Sequence, residues 1–213
     1  MVEIKRESPV RFKVGPLKTE VRDNWTVALE YDDEGQGPWL VDLAHKTRWD
    51  IQDNKVGKQT PGDLAVPEAP GHCTFADKTL INRMNRTQAS IYHLGAAAPV
   101  MPDFSGYTDV TEATVFIALF GPRAFGVAEK LSNLDLLNPA GNTPFLLQGP
   151  FCHVPCQIVV LGKVAADSGG FLLTCSRGYG DSMIHAVLEA GAEFGLRPAG
   201  ENRFNSWLDG LRQ

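Results

Sequence analysis

The densest grouping of chemically capable side chains is Cys152-His153-Val154-Pro155-Cys156, with His72-Cys73 upstream. Thiolates and imidazoles are the usual ligands of zinc and the usual groups of redox centres. Spacing argues against a metal here. In an extended segment of roughly 3.3 Å per residue, Cys152 and Cys156 stand about 13 Å apart, too far for both to reach one zinc at ~2.3 Å. Both fall on the face that carries Val154, Ile158 and Val160, so they read as small core thiols, and no metal site is assigned. Pro155 cannot donate to a sheet ladder, which marks an edge or a bulge, and only a turn there would bring the ligands together.

A second grouping is cationic. Lys78, Arg83, Arg86 and His93 lie in a stretch, Lys78 to Pro102, that holds no Asp or Glu although the chain as a whole is acidic. Arg83 and Arg86, flanked by Asn82, Asn85, Thr87 and Gln88, suit a carboxylate-bearing ligand or an acidic partner surface; the structural reading is a solvated face. Ser176–Asp181 opens a helix and could hold an anion on free amides, although such a segment is more often a strand-to-helix turn. No Gly-x-Ser-x-Gly, phosphate loop, Gly-x-Gly-x-x-Gly or His-Glu-x-x-His occurs, which removes the common hydrolase and nucleotide chemistries.

The background is that of a globular chain: 213 residues, 43% apolar, 21% charged. Twenty Lys plus Arg against 25 Asp plus Glu give a net charge of -5, which disfavours nucleic-acid binding through phosphate neutralisation. The first residues are too charged for a secretory signal, and Ala113–Phe120, the longest apolar run, is far short of the ~20 residues of a membrane span. A cytoplasmic protein with four reduced thiols and no membrane partner is expected.

Short strands are predicted at 10–14, 26–31, 39–43 and 47–51, followed by a Gly- and Pro-rich cover loop over 54–71. Leu80, Ile81, Met84, Gln88, Ile91 and Leu94 recur at three- and four-residue steps and predict a helix from an Asp77 cap to a Gly95 stop. Residues 96–109 read as a connector. Beyond them, Glu112–Phe120 is apolar on both faces, as in a central strand, and runs into Gly121-Pro122, with Pro122 at the first position of a helix that ends near Asn133. Strands over 153–163 and 171–176 form a hairpin. Asp181 caps a helix stopped by Gly195 and Pro198, and the stretch from Leu196 supplies a closing strand. The order is a split βαβ, or ferredoxin-like, α+β core with an N-terminal extension of short strands and one extra helix. One domain over 1–213 is expected: 1–109 strands, cover loop and basic helix, 110–200 the core, 201–213 a tail.

Several segments, in order, resemble the aminomethyltransferase superfamily, which includes the glycine cleavage T-protein and the gamma subunit of heterotetrameric sarcosine oxidase. Trp39–Gln52, with Asp42-Leu43-Ala44-His45, is similar to the family's early strand pair. Leu119-Phe120-Gly121-Pro122-Arg123-Ala124 is similar to its Gly-Pro strand-to-helix junction. Gly170–Ser176 and Gly195–Gly200 with Arg203 resemble its closing strand, helix and approach to an arginine. The departures are equally specific. The family's Gly-rich hairpin with paired aspartates, one of them catalytic, corresponds here to the basic helix; its folate-contacting glutamate corresponds to Leu172; its second arginine corresponds to Trp207.

The resemblance therefore implies a fold kept without its catalytic acid, and no catalytic residue is assigned. Arg203, Arg83 and Arg86 are the candidate cofactor-binding residues. No cofactor is expected in this chain itself, tetrahydrofolate being the candidate ligand and flavin belonging to a partner chain, a flavoprotein oxidase subunit. The leading expectation is a non-catalytic assembly subunit of a sarcosine-oxidase-like amine oxidase in one-carbon metabolism, with Trp39, Trp49 and Trp207 facing that partner or buried in the chain's own core. A stand-alone folate-dependent aminomethyl or methyl transfer protein is the alternative; an interaction module unrelated to one-carbon chemistry is the third.

Overall fold

The computed structural model describes residues 5–97, 99–138, 141–163 and 169–211. Thirteen strands are seen among them: β1 (Lys18–Arg22), β2 (Trp25–Glu30), β3 (Trp39–Asp42), β4 (Arg48–Gln52), β5 (Cys73–Ala76), β6 (Thr79–Arg83), β7 (Gln88–His93), β8 (Tyr107–Asp109), β9 (Thr114–Phe120), β10 (Phe145–Phe151), β11 (Val154–Gly162), β12 (Gly170–Ser176) and β13 (Arg197–Ala199). Three helices accompany them: α1 (Ala124–Glu129), α2 (Gly180–Gly191) and α3 (Glu201–Gly210). The strands form a β1-β2 ribbon, a six-stranded sheet in the order β10-β11-β12-β9-β3-β13, and a five-stranded sheet in the order β5-β6-β7-β4-β8.

The expected split βαβ is present. β9, α1, β11, β12, α2 and β13 follow that plan, with β3 inserted between β9 and the closing strand β13. The central strand β9 explains the arrangement. Val115, Ile117 and Leu119 join the core under α1 and α2, while Phe116, Ala118 and Phe120 alternate into a second core beneath β6, β7 and α3. Each of these side chains leaves water almost entirely, which contributes about 1.5–3 kcal/mol for a Val, Leu, Ile or Phe. The Gly-Pro junction after β9 has a steric cause: a Cβ on Gly121, at φ +91, would lie 2.6 Å from the Trp39 ring.

The extra helix over 78–95 is not formed; the segment is the β6-β7 hairpin, joined to β5 by the left-handed pair Asp77-Lys78 (φ 48 and 59). This hairpin is buried on both faces. Leu80, Tyr92 and Leu94 meet the six-stranded sheet, whereas Ile81, Ala89 and Ile91 meet Val56 and Val66 of the cover segment. Two buried faces on one strand give adjacent apolar residues, and adjacent pairs imitate helical spacing.

Other boundaries shift for local reasons. No strand forms at 10–14, where Val10 and Phe12 pack onto the α1–α2 core, and β1 lies later. Arg123, at φ 64, precedes α1, so Pro122 is outside the helix. Tyr179 rather than Asp181 precedes α2, and its first residue, Gly180, sits under Pro9, whose carbonyl oxygen a Cβ there would approach to 2.2 Å. The segment Ser176–Asp181 is thus a strand-to-helix turn, exposed for most of its length and buried only at Gly180. Residues 201–210, expected as tail, form α3. β10, also unexpected, pairs with β11 through the turn Cys152-His153, both residues being left-handed (φ 51 and 63).

Candidate functional site

The turn between β3 and β4 carries the polar chemistry, and Arg48 builds it. This arginine is 0% exposed and meets no carboxylate. Its guanidinium instead donates to the carbonyls of Lys46 (2.7 Å), Leu43 (3.3 Å), Ala44 (3.4 Å), Thr111 and Thr114 (3.3 Å), while its Nε donates to Thr114 Oγ1 (3.1 Å). It also lies 4.7 Å over the Phe116 ring. Burial lowers its pKa to about 10, still charged at neutral pH. Such saturation with carbonyls freezes the turn, and the turn presents His45 and Lys46.

Both reach Glu201, the first residue of α3, which is 1% exposed. Oε1 accepts from Lys46 Nζ and from His45 Nε2 at 3.2 Å; Oε2 accepts from Arg22 Nη1 at 2.5 Å. Burial alone would raise the Glu201 carboxyl, but the His45 hydrogen bond and the Lys46 charge outweigh it and hold it well below the usual range. Lys46 is lowered by burial, with Glu201 opposing. Its ammonium also donates to Gly95 O at 2.8 Å, tying the β7 end to the same network. A carboxylate in the first turn of a helix is further favoured by the backbone dipoles.

His45, Lys46 and Arg22 of this network form one wall of a cleft of about 430 Å³ whose other walls are Arg6 and Asp23, the Trp49–His93 pair, and Gly95, Ala96, Ala97, Pro99 and Met101. His93 stands edge-on to Trp49 with centroids 4.4 Å apart. Burial lowers its pKa to about 4, so the imidazole is neutral at physiological pH, and its buried Nε2 has no hydrogen-bond partner. The cations of the cleft are compensated from within: Arg6 by Asp23 and Glu112, Arg22 by Glu20 and Glu201.

The candidates read from the sequence lie elsewhere and apart from one another. Arg203, on α3, donates from Nε to Glu34 Oε2 (3.0 Å) and lies 5.0 Å over the Trp39 ring. Glu34 is fixed in turn, Oε1 accepting from the amides of Gly200 (2.9 Å) and Tyr31 (3.1 Å). Arg83 is buried and closes the β6-β7 turn, donating to the carbonyls of Asn85 (2.7 Å) and Arg86 (2.6 Å). Arg86 is exposed at that turn. No shared ligand site results, and the basic helix face is replaced by a hairpin turn. Cys152 occupies the β10-β11 turn, half-buried, whereas Cys156 is buried in the α1–α2 core with its thiol hydrogen-bonded to Cys175 on β12. Among the described residues no three His, Cys, Asp or Glu side chains are grouped to hold a metal ion. The tryptophans are internal: Trp49 is buried, and the half-buried Trp39 and Trp207 pack against Phe120.

Leu172 is 0% exposed, in the core between the six-stranded sheet and the β6-β7 hairpin. Leu80, Phe116, Val159 and Leu146 belong to the same cluster, and its polar relief is the Tyr92 hydroxyl, which donates to Gln157 Oε1 at 2.8 Å.

No protein-family model matches this sequence, and no characterised protein matches it by sequence. Solved structures do. A chain of the heterotetrameric sarcosine oxidase from Corynebacterium sp. U-96, solved in complex with pyrrole 2-carboxylate, aligns at a TM-score of 0.61 and 15% identity over 73% of this chain and 84% of that one. Glycine cleavage system aminomethyltransferase T from Bartonella henselae aligns at 0.55 and 14% over 87% of this chain and 56% of that one. This chain has their fold. The aminomethyltransferase-like arrangement thus extends across most of the molecule, although the chain matches little more than half the length of the B. henselae protein. At such identities the likeness is one of architecture.

The Glu201 network was hidden in the sequence for a reason. His45 and Lys46 lie between two short strands, but nothing in one dimension joins them to residue 201. A signal did exist: Glu201, Phe204 and Leu208 repeat at helical steps after Gly200, with an acid in the first turn. Gly200 itself is required, because a Cβ there would fall 2.0 Å from Leu29 O.

Proposed function

We propose that this chain is an assembly subunit of a heteromeric amine oxidase of the sarcosine oxidase type, working in folate-linked one-carbon metabolism beside a flavoprotein partner that performs the oxidation. One observation carries the reading: where the family resemblance puts a pterin-contacting glutamate, Leu172 is sealed in an apolar core. A leucine offers neither donor nor acceptor to a pterin, and its neighbours leave it no exposed surface. Arg203, the cation that the resemblance retains, is paired through Nε with Glu34 and lies over the Trp39 ring. The fold shared with a chain of a heterotetrameric oxidase supports the heteromeric part of the proposal.

Isolation at native expression level tests it. The expected result is a stable complex whose visible spectrum shows bound flavin and from which this chain dissociates without any; a free chain with no associating flavoprotein would contradict the proposal. A second reading, a stand-alone folate-dependent transfer protein, draws support from the cleft beside His93, whose unpartnered Nε2 offers a neutral donor or acceptor. That reading requires tetrahydrofolate to bind the isolated chain and the binding to weaken in His93→Phe.

A further inference from the structure

The strand β1 is paired with β2 on one side, and its other edge has no strand partner among the described residues. Free edges carry unpaired N–H and C=O groups and template pairing with another chain, so proteins usually blunt them with a bulge, a proline or a cover. This edge is uncovered: Lys18, Thr19, Glu20 and Val21 are all exposed, as is Leu17 just before them. Val21 is 72% exposed and Leu17 65%, two large apolar side chains left in water on one short segment.

The sequence of this edge is complementary to itself. The pairing with β2 shifts between Lys18, opposite Glu30, and Thr19, opposite Ala28, so the extra residue of this bulge lies on β2 and β1 keeps its own alternation: Leu17, Thr19 and Val21 share one face, and Lys18 and Glu20 the other. Antiparallel pairing with a second copy about a twofold axis through Thr19 sets each Leu17 opposite Val21 and each Lys18 opposite Glu20. One face then gains two apolar cross-strand pairs and the other gains two opposite-charge pairs. Neighbouring registers fail. An axis through Lys18 sets Lys18 against Lys18, and an axis through Glu20 sets Glu20 against Glu20 and Lys18 against Arg22, all of them like charges directly opposite. The present partner of Lys18, Glu30 at 4.0 Å, forms a surface pair that exchanges at little cost, and Arg22, 2.7 Å from Glu20, keeps its second carboxylate in Glu201.

We propose that this chain forms a twofold-symmetric dimer by antiparallel pairing of its β1 edges, which joins two ribbons into a four-stranded β2-β1-β1-β2 sheet. The occupant of the edge is a second copy, and the interface is isologous, each residue meeting its mirror position. The dimer is independent of the flavoprotein reading above, since the residues it pairs, Leu17 to Val21, line neither the Leu172 core nor the cleft.

Sedimentation velocity on the full chain, from low micromolar to several hundred micromolar, tests the proposal. A reversible monomer–dimer equilibrium is expected. Lys18→Glu or Glu20→Lys, each of which turns both charge pairs into like-charge pairs, should weaken it about tenfold. The double variant Lys18→Glu, Glu20→Lys should restore it, and circular dichroism should show all three variants folded. A chain that is monomeric throughout, a dimer indifferent to the single changes, or a double variant that stays weak would each overturn the proposal. So would loss of a heteromeric complex in the single variants of a chain that never self-associates, because the edge would then belong to another protein.

Discussion

Leu172 and Glu201 are equally hidden from water, 0% and 1% exposed, yet their surroundings share almost nothing. Leu172 sits in a seam where two sheets close on each other through leucine, phenylalanine and valine. Glu201 sits where a helix start meets the β3-β4 turn and the ribbon, held by Arg22, His45 and Lys46. Apolar packing dominates the first joint, with the Tyr92 hydroxyl reaching Gln157 at its side. Charge joins the second, and because each cation there is met by a carboxylate, the network fixes position rather than presenting a reactive group. The contrast separates two kinds of joint in one fold: a mainly apolar seam, and a polar network that ties a helix start to a turn and a ribbon.

Putting a charge into the dry seam is the harshest way to break that contrast. Leu172→Glu buries a carboxylate with no partner and should destabilise the chain by about 5 kcal/mol in urea melts, or prevent folding. A loss below about 1 kcal/mol would mean that the seam has polar room. The reverse experiment removes the central acid. Glu201→Ala leaves Lys46 buried without its carboxylate and should lower stability by about 3–5 kcal/mol. Arg83→Ala, which opens the β6-β7 turn over the seam, should cost about 2–3 kcal/mol for two charged hydrogen bonds.

Acid separates the two polar residues of the cleft region. His93 has its pKa lowered to about 4 from 6.5, so the unfolded chain takes up a proton that the folded chain refuses. Stability therefore falls as pH drops through that window and levels below it. Glu201, depressed below its ordinary 4.5, contributes stability that is present above that value and lost as pH falls beneath it. His93→Phe should flatten the upper window and leave the lower one. The smallest effect belongs to Arg203→Ala, about 0.5–1 kcal/mol, since its ion pair with Glu34 and its stacking on Trp39 are exposed on the arginine side. A much larger loss of partner binding than of stability in that variant would give Arg203 a recognition role.

The sequence exposes the six-stranded sheet better than the five-stranded one. β9 reads correctly because seven residues, Thr114–Phe120, are followed by a glycine that only the Trp39 ring explains. β6 and β7 do not, because residues buried on two faces lose the period of two that marks a half-exposed strand. The Asp77-Lys78 and Asn85–Thr87 turns were the available correction. The resemblance sets Leu172 against a glutamate, but that its side chain is fully enclosed by apolar neighbours is visible only in the packing. Resemblance points to Arg203 and local charge to Arg83 and Arg86, and neither signal tells an arginine that binds a ligand from one that binds carbonyls or a neighbouring glutamate. The Glu201 network needed contacts spanning 156 and 179 residues, from His45 and from Arg22.

Calorimetric titration of the isolated, folded chain with tetrahydrofolate tests the dry seam most directly. The account predicts no saturable heat up to millimolar ligand for the natural chain. Saturable binding at micromolar concentration, unchanged in His93→Phe, would put a pterin outside the cleft and contradict it.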